Sequence, residues 1–142
     1  MAVALLLSSF TLMANDNPRV DQKVENAFKK EFAGAEYVHW EKLNDAFQAT
    51  FNFMGQRLIA YFSEDGDLLS TTRFIYSNQL PYKVVRELQE KYSSAEVNPS
   101  VLEAVYDSET VYFITVKDGH KEYLLKANSS GSISVANKKR LN

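Results

Sequence analysis

Apolar and polar residues alternate between residues 47 and 62, and this stretch is the centre of the predicted fold. Its first run places apolar side chains on one face of a strand, at Phe47, Ala49, Phe51 and Phe53. After Met54-Gly55-Gln56 the alternation resumes at Leu58, Ala60 and Phe62. Alternation with a period of two indicates strands that are covered on one face only, so the stretch is predicted to form an antiparallel hairpin.

Two other stretches carry apolar residues at helical spacing. The first holds Val20, Val24, Ala27, Phe28 and Phe32, and the second holds Val84, Val85, Leu88 and Tyr92. Each pattern predicts a helix with one apolar face. Asn17-Pro18 and Pro81 are predicted to open these helices, because Asn can cap a first turn and Pro is tolerated there. Gly34 is predicted to close the first helix.

Further strands are predicted on both sides of the second helix. Beyond the hairpin they are residues 36–42, 68–76, 101–106, 111–117, 121–127 and 132–136. The predicted fold class is therefore α+β, a tandem repeat of one helix plus a four-stranded antiparallel meander, with the helices packed on one sheet face. The predicted halves are residues 15–76 and 77–142, which together form one compact unit. The pattern leaves open whether the two halves share one continuous sheet.

The first 14 residues, MAVALLLSSFTLMA, are apolar and uncharged. They are too short to span a bilayer, which takes about 20 apolar residues, and they fit the hydrophobic region of a secretory signal peptide. The alternative is a buried first strand or helix of a cytosolic domain. The preferred interpretation predicts a periplasmic or secreted protein with no transmembrane segment in the mature chain.

The charge balance argues against nucleic acid as a partner. The formal net charge is −2, and Lys and Arg are scattered along the chain. A nucleic-acid-binding protein needs a basic patch, and the cluster Lys138-Lys139-Arg140 is predicted to be a solvated tail. The chain has no cysteine, which excludes disulfides, thiolate nucleophiles and Cys-based zinc sites.

Side chains that carry catalysis or bind metals do not form a recognisable set. His39 lies in a predicted strand and His120 in a turn, and neither has carboxylates at metal-ligand spacing. Glu64-Asp65-Gly66-Asp67 holds three carboxylates, but it lacks the twelve-residue pattern of a calcium loop and is interpreted as a turn. The sequence therefore predicts no enzyme, no catalytic or metal-binding residue and no cofactor.

The sheet face opposite the helices is the best candidate for a binding site. If the row that begins at Phe47 faces inward, the second face combines aromatic, basic and small polar side chains, as recognition surfaces do. A plain half-solvated sheet has the same composition. The predicted partner-binding residues are Tyr37, His39, Arg57, Ile59 and Tyr61. Trp40 is predicted to belong to the core, with a role as a partner-binding anchor as the alternative.

A set of motifs spans nearly all of the chain after residue 14. It comprises Phe32-Ala33-Gly34-Ala35, Val38-x-Trp40, Phe47-x-Ala49-x-Phe51, Gly55, Ala60-Tyr61-Phe62, Asp65-Gly66-x-Leu68-Leu69 and Leu80-Pro81. In these motifs the chain resembles the PepSY-like family, small exported proteins of Bacteroidetes-type bacteria that are likened to the β-lactamase-inhibitor protein. The resemblance implies a tandem helix-plus-sheet unit in the cell envelope, with no agreed biochemical role. Related PepSY domains in protease propeptides are thought to restrain or chaperone a partner.

Two functions follow as hypotheses. The first is an exported, non-enzymatic binding protein, inhibitor-like, that recognises an envelope or secreted protein through its open sheet face. The second is a carrier of small apolar ligands in the cell envelope, with a cavity between helix and sheet. A broad sheet face with exposed aromatic side chains favours a protein partner, whereas a closed apolar pocket favours a small ligand.

Overall fold

The computed structural model describes residues 18–142, and the predicted signal peptide at residues 1–14 lies outside them. In this range the helices are α1 (Gln22–Glu31) and α2 (Tyr82–Lys91), and a 3₁₀ turn, Ser77–Gln79, precedes α2. The strands are β1 (Glu36–Lys42), β2 (Ala46–Phe53), β3 (Gln56–Ser63), β4 (Leu68–Tyr76), β5 (Glu96–Val97), β6 (Ser100–Tyr106), β7 (Glu109–Asp118), β8 (Lys121–Asn128) and β9 (Ile133–Arg140). Neither of these α-helices is long and apolar enough to cross a membrane.

All nine strands of the described residues belong to one antiparallel sheet. The strand order is β1-β2-β3-β4-β6-β7-β8-β9, and β5 pairs with β7. β4 joins β6 through six residue pairs, from Thr71 with Val105 to Tyr76 with Ser100. The predicted tandem repeat of one helix plus a four-stranded meander is therefore wrong. The protein is one continuous sheet, which holds 54% of the described residues, with two helices packed on it.

Two physical features account for the difference. Separate meanders would leave the facing edges of β4 and β6 unpaired, and pairing them satisfies the backbone N–H and C=O groups of both strands. In the second half, Asn98 and Pro99 interrupt the extended chain between β5 and β6, because proline has no N–H to donate to a ladder. The short β5 then pairs with β7, Glu96 opposite Lys117, so this half is not a four-stranded meander.

α1 packs on the first part of the sheet through an aromatic cluster. Phe28 of α1 lies with its ring centroid 4.8 Å from that of Phe51 and 5.2 Å from that of Trp40. Val24, also on α1, is completely buried in the same cluster. Trp40 is 8% exposed, which confirms the prediction that it belongs to the core. Burial of several aromatic rings of this size contributes strongly to the stability of a small sheet.

α2 packs on the second part of the sheet and on the same face as α1. Its buried side chains Val84 and Leu88 lie in a second apolar cluster that includes Ile75 of β4. Ala60 of the first cluster pairs with Thr71, and Ile75 lies four residues further along β4. Because residues i, i+2 and i+4 of a strand share a face, both clusters lie on one side of the sheet.

Both ends of the described chain differ from the sequence-based prediction. α1 begins at Gln22, after the predicted start at Asn17-Pro18, because the Asp21 side chain accepts the Lys23 backbone N–H and caps the first turn. The cluster at residues 138–140 is not a solvated tail. These residues are the end of β9, where Lys139 pairs with Glu122 in the ladder and also forms an ion pair at 2.7 Å.

Candidate functional site

Four of the five predicted partner-binding residues share the face of the sheet that no described helix covers, which we call the open face. Thr50 pairs with His39 on one side and with Ile59 on the other. Arg57, Ile59 and Tyr61 alternate along β3 and so point to the same side. Arg57 is exposed, whereas Ile59 and Tyr61 are half-buried. The structure therefore brings His39, Arg57, Ile59 and Tyr61 onto one surface.

Tyr37, the fifth predicted residue, is set apart by a β-bulge. The register of β1 shifts between Glu36 and His39, so β1 holds one more residue than β2 over this interval. Tyr37 has a positive φ of 54° and is 83% exposed. Simple alternation does not apply at a bulge, and Tyr37 lies at the edge of the sheet rather than in the row formed by the other four.

Tyr61 lies beside a buried polar group. Burial raises the pKa of the Tyr61 phenol above its usual value, the Thr72 hydroxyl opposes this shift, and the Glu41 carboxylate adds to it. Thr72 is 3% exposed, and its Oγ1 has no hydrogen-bond partner of good geometry among the described residues. Buried hydroxyls usually have a partner, and the neighbouring Tyr61 phenol is the group that interacts with this one.

The open face continues into β4, β6 and β7 with residues that the sequence analysis did not select. Phe74 pairs with Leu102, and Leu102 pairs with Phe113. These three side chains, which we call the Phe74 row, form an apolar line across three strands. Phe74 is 69% exposed, and the other two are half-buried. Alternation along β4 can indicate the sheet face on which Phe74 lies. The row also requires β4 to lie next to β6, which no local pattern predicts.

A fork opens between β3 and β4 beside the Phe74 row. The β3 to β4 ladder runs from Phe62 with Leu68 to Ile59 with Thr72, and no pair follows. β4 stays paired with β6 up to its end, so its other edge is open from residue 73 onward. A cavity of about 410 Å³ lies at this fork. Its lining includes Gln56, Arg57, Ile59, Arg73, Phe74 and Gln79.

Arg73 bridges the fork with its side chain. Its Nε donates to Glu103 Oε1 at 2.6 Å, and its Nη1 donates to Gln56 Oε1. The Glu103 side chain is only 15% exposed, so this ion pair balances the charge of Arg73. Arg57, by contrast, makes no ion pair with any residue of the described range. The cavity therefore carries a positive charge that no other side chain of the structure balances.

The histidines and the acidic turn, which were weighed for metal binding, do not come together. His39 lies in β1, and His120 lies in the turn between β7 and β8. In the turn at residues 64–67, the Asp65 carboxylate pairs at 3.2 Å with the Lys23 ammonium of α1. No group of three or more His, Cys, Asp or Glu within residues 18–142 is arranged to hold a metal ion. The acidic turn fastens the β3 to β4 connection to α1.

Comparison with known proteins identifies structures from Bacteroides with the same fold. No family profile matches the sequence, and no curated protein matches it. A BLIP-like protein from Bacteroides fragilis is 24% identical, with a TM-score of 0.70 over 84% of this chain and 85% of that chain. A DUF2874 family protein from Bacteroides ovatus is 19% identical, with a TM-score of 0.72 over 89% of each chain.

A third neighbour also comes from Bacteroides. A candidate periplasmic protein from Bacteroides eggerthii is 17% identical, with a TM-score of 0.70 over 85% of this chain and 88% of that chain. At such identities these comparisons show a shared fold. The likeness to BLIP-like proteins of Bacteroides is therefore a likeness of fold. The resemblance to the PepSY-like family is not confirmed.

Proposed function

We propose that this protein is an exported, non-enzymatic binding protein, inhibitor-like in action, that recognises a protein partner through its open face. The observation that carries the proposal is the Phe74 row beside Arg57, Ile59 and Tyr61, on a face that no described helix covers. Aromatic and Arg side chains are enriched at the centres of protein interfaces. The B. fragilis neighbour is a BLIP-like protein, and that likeness supports the inhibitor-like part.

The extent of this surface suits a protein better than a small molecule. It crosses four strands, from Arg57 on β3 to Phe113 on β7. Neighbouring strands lie about 4.8 Å apart, so the surface spans roughly 15 Å across the sheet. Phe74 leaves most of its ring in water, and covering such a ring with a partner contributes more to binding than covering a small polar side chain.

The alternative, a carrier of small apolar ligands, requires an apolar cavity between helix and sheet. Under α1 that space is filled by rings, with the centroid of Phe28 at 4.8 Å from Phe51 and 6.2 Å from Phe62. Under α2 the fully buried side chains Val84 and Leu125 pack in the second cluster.

One observation favours the carrier hypothesis, a cavity of about 480 Å³ between the end of α1 and β1 that Phe32, Val38 and Trp40 help to line. The charged residues Glu25 and Lys29 line it as well, which suits an apolar ligand poorly.

Two independent observations support export of the protein. The apolar segment at residues 1–14 has the character of a signal peptide, and the B. eggerthii neighbour is a candidate periplasmic protein. The site of action is then the periplasm or the exterior of the cell. The partner belongs to the envelope or secreted proteins, and neither nucleic acid nor a cofactor takes part.

Capture from envelope extract tests the proposal. Immobilised wild-type protein is compared with the variant Arg57→Ser/Tyr61→Ser/Phe74→Ser and with the control Val135→Ser. Val135 is 51% exposed and lies opposite Leu125, on the helix-bearing face. We expect the triple variant to recover at least roughly tenfold less partner than wild type, because it loses aromatic and Arg contacts, and we expect the control to recover as much as wild type.

Thermal melts of all three proteins show whether a loss of capture reflects unfolding. Any enzyme recovered is then assayed with and without added protein, which tests the inhibitor-like part. Equal recovery by wild type, triple variant and control would contradict binding through the open face.

A further inference from the structure

We propose that the fork between β3 and β4 receives the C-terminal end of the partner chain as a short extended strand, with its terminal carboxylate held by Arg57. This inference rests on the proposed function, since it names the part of the partner that enters one site on the open face. Three features of the fork carry it: an unpaired strand edge, a closed end and an unmatched positive charge.

The unpaired edge belongs to β4. The Ser77 N–H donates to the Pro99 carbonyl on the β6 side at 2.8 Å. In an antiparallel strand, the backbone N–H and C=O groups of neighbouring residues point to opposite sides. Since those of Ser77 point towards β6, the N–H and C=O groups of Tyr76 and Phe74 point towards the fork. The Tyr76 N–H is met by Gln79 Oε1 at 2.8 Å. Phe74 lies beyond the last β3 to β4 pair, so its N–H and C=O can receive an added strand.

The fork is closed at one end. Ile59 pairs with Thr72 at its apex, and a chain that enters from the open end cannot continue past that pair. The three β4 residues between the apex and Tyr76, residues 73–75, give a length of roughly 10 Å. A short fork that is closed at one end can accept the end of a chain. An internal segment of a chain would have to reverse its direction within the fork.

Hydrogen-bond donors at the fork select a carboxylate. Arg73 is held by Glu103 and Gln56 on the helix-bearing side of the sheet, where its charge is balanced. Arg57, on the open face, has no ionic partner in the described range. Guanidinium groups bind carboxylates through charge-assisted bonds and repel an ammonium group. The charge of the site therefore favours a C-terminus over an N-terminus.

Apolar walls complete the site. Ile59 and the exposed ring of Phe74 line the same cavity as the two arginines. In an added strand, side chains alternate between the two faces of the sheet. A β-branched or aromatic residue next to the terminal carboxylate would place its side chain against Ile59 and Phe74, while the backbone pairs with β4. The expected ligand is thus an extended chain end with an apolar residue at or near its terminus.

Fluorescence polarisation with labelled peptides tests this inference. The probe is a pool of peptides whose last five positions are randomised among Val, Ile, Thr, Phe and Tyr, with fluorescein at the N-terminus and a free C-terminal acid. A second pool has the same composition and a C-terminal amide. We expect the acid pool to bind at least tenfold more tightly than the amide pool. We also expect Arg57→Gln to weaken binding of the acid pool by roughly tenfold, since one charge-assisted bond is lost.

The matched control is Arg86→Gln, which removes an exposed guanidinium from α2 and is expected to leave peptide binding unchanged. In amide NMR spectra, the resonances of Thr72 and Phe74 are expected to shift on titration with the acid pool. Failure of the acid pool to bind, equal binding of the amide pool, or equal loss in Arg57→Gln and Arg86→Gln would overturn the inference.

Failure of this inference can be told apart from failure of the proposed function. A captured partner that still binds the open face after deletion of its last five residues would overturn the fork as a C-terminus site and leave the proposed function intact. Acid-dependent peptide binding with equal capture by wild type and the triple variant would contradict the proposed function, because that variant lacks Arg57 and Phe74 of the fork as well, and it would support the fork only as a site for peptide carboxylates.

Discussion

At the scale of single residues, Phe51 tests the assignment of the inner face. It is 1% exposed, and its ring centroid lies 4.8 Å from Phe28 and 4.7 Å from Phe32. We expect Phe51→Ala to lower the free energy of unfolding by about 3–5 kcal/mol, because a large buried ring leaves a cavity. Phe74→Ala removes the same side chain from an exposed position and is expected to cost less than about 1 kcal/mol. Urea denaturation measures both, and similar losses would show that the faces are misassigned.

Tyr61 predicts how stability changes in alkaline solution. Burial raises the pKa of its phenol in the folded protein, so folding favours the protonated form. That contribution is fully present below the unfolded pKa of about 10 and is lost as pH rises through the higher folded pKa. Tyr112, whose pKa burial also raises, has the same sign. We expect the free energy of unfolding of wild type to fall above pH 10, and to fall less steeply in Tyr61→Phe.

The second tyrosine gives an independent check of the same effect. Tyr112→Phe is expected to flatten the alkaline decline in the same direction, and the double variant to flatten it further. A decline in Tyr61→Phe as steep as in wild type would show that Tyr61 does not contribute to it.

Residue positions were predictable where the pattern is local. Alternation along β3 correctly indicated that Arg57, Ile59 and Tyr61 share a face, since a strand has a strict period of two. Tyr37 departed from the same rule because a bulge inserts one residue into β1. The role of these residues in binding stays a prediction. Phe74 was missed because its neighbours on the open face come from β6 and β7, far away in the sequence.

At the scale of elements, two strands were predicted with correct bounds, β1 and β4. β5 was missed because two residues are too few to show a period. β9 was predicted to end at residue 136, and it continues to Arg140. Its basic end looked like a tail, but Glu122 on the neighbouring strand stabilises it through Lys139. Basic side chains on an edge strand also oppose pairing with a second copy.

The turn between β3 and β4 predicts a packing effect on α1. Gly66 has a φ of +91°, and a Cβ at this position would lie 3.1 Å from the Lys23 carbonyl oxygen of α1. Gly55, in the turn between β2 and β3, has a φ of +78° and nothing within 4 Å of such a Cβ. We expect Gly55→Ala to cost about 1–2 kcal/mol through backbone strain alone. Gly66→Ala should cost about 1 kcal/mol or more beyond that, because α1 must shift.

Urea denaturation of the two alanine variants separates these contributions. The difference between them reports the contact between the turn and α1, since both positions have positive φ. Equal losses of stability would show that α1 accommodates the added methyl group without cost.

At the scale of the whole molecule, the sequence indicated the number of helices and most strands but not how the two halves meet. The local sequence pattern does not distinguish the edges of β4 and β6 from the edges of the other strands. It therefore does not predict that these two strands pair. The predicted repeat was wrong for this reason, and also because Pro99 divides the strand that would have completed the second meander. The structural neighbours then confirmed a fold shared with BLIP-like proteins, which the motif resemblance had indicated.

One sheet with a shared ladder predicts one unfolding transition. The six pairs between β4 and β6 couple the cluster under α1 to the cluster under α2, so neither half can open without exposing an edge. We expect differential scanning calorimetry to show a single peak whose calorimetric and van't Hoff enthalpies agree. Two resolved peaks, or loss of amide protection in residues 18–76 before the rest, would contradict this coupling.

Pairing of β4 with β6 also imposes an order on folding during synthesis. Most strands pair with their neighbours in the chain, so hairpins form early and quickly. β4 is different, because its second partner is made only after α2 and β5 have been completed. Until then the growing chain carries a complete four-stranded sheet with an open edge, next to the exposed ring of Phe74. In this interval, a second unfinished chain competes with β6 for the same edge.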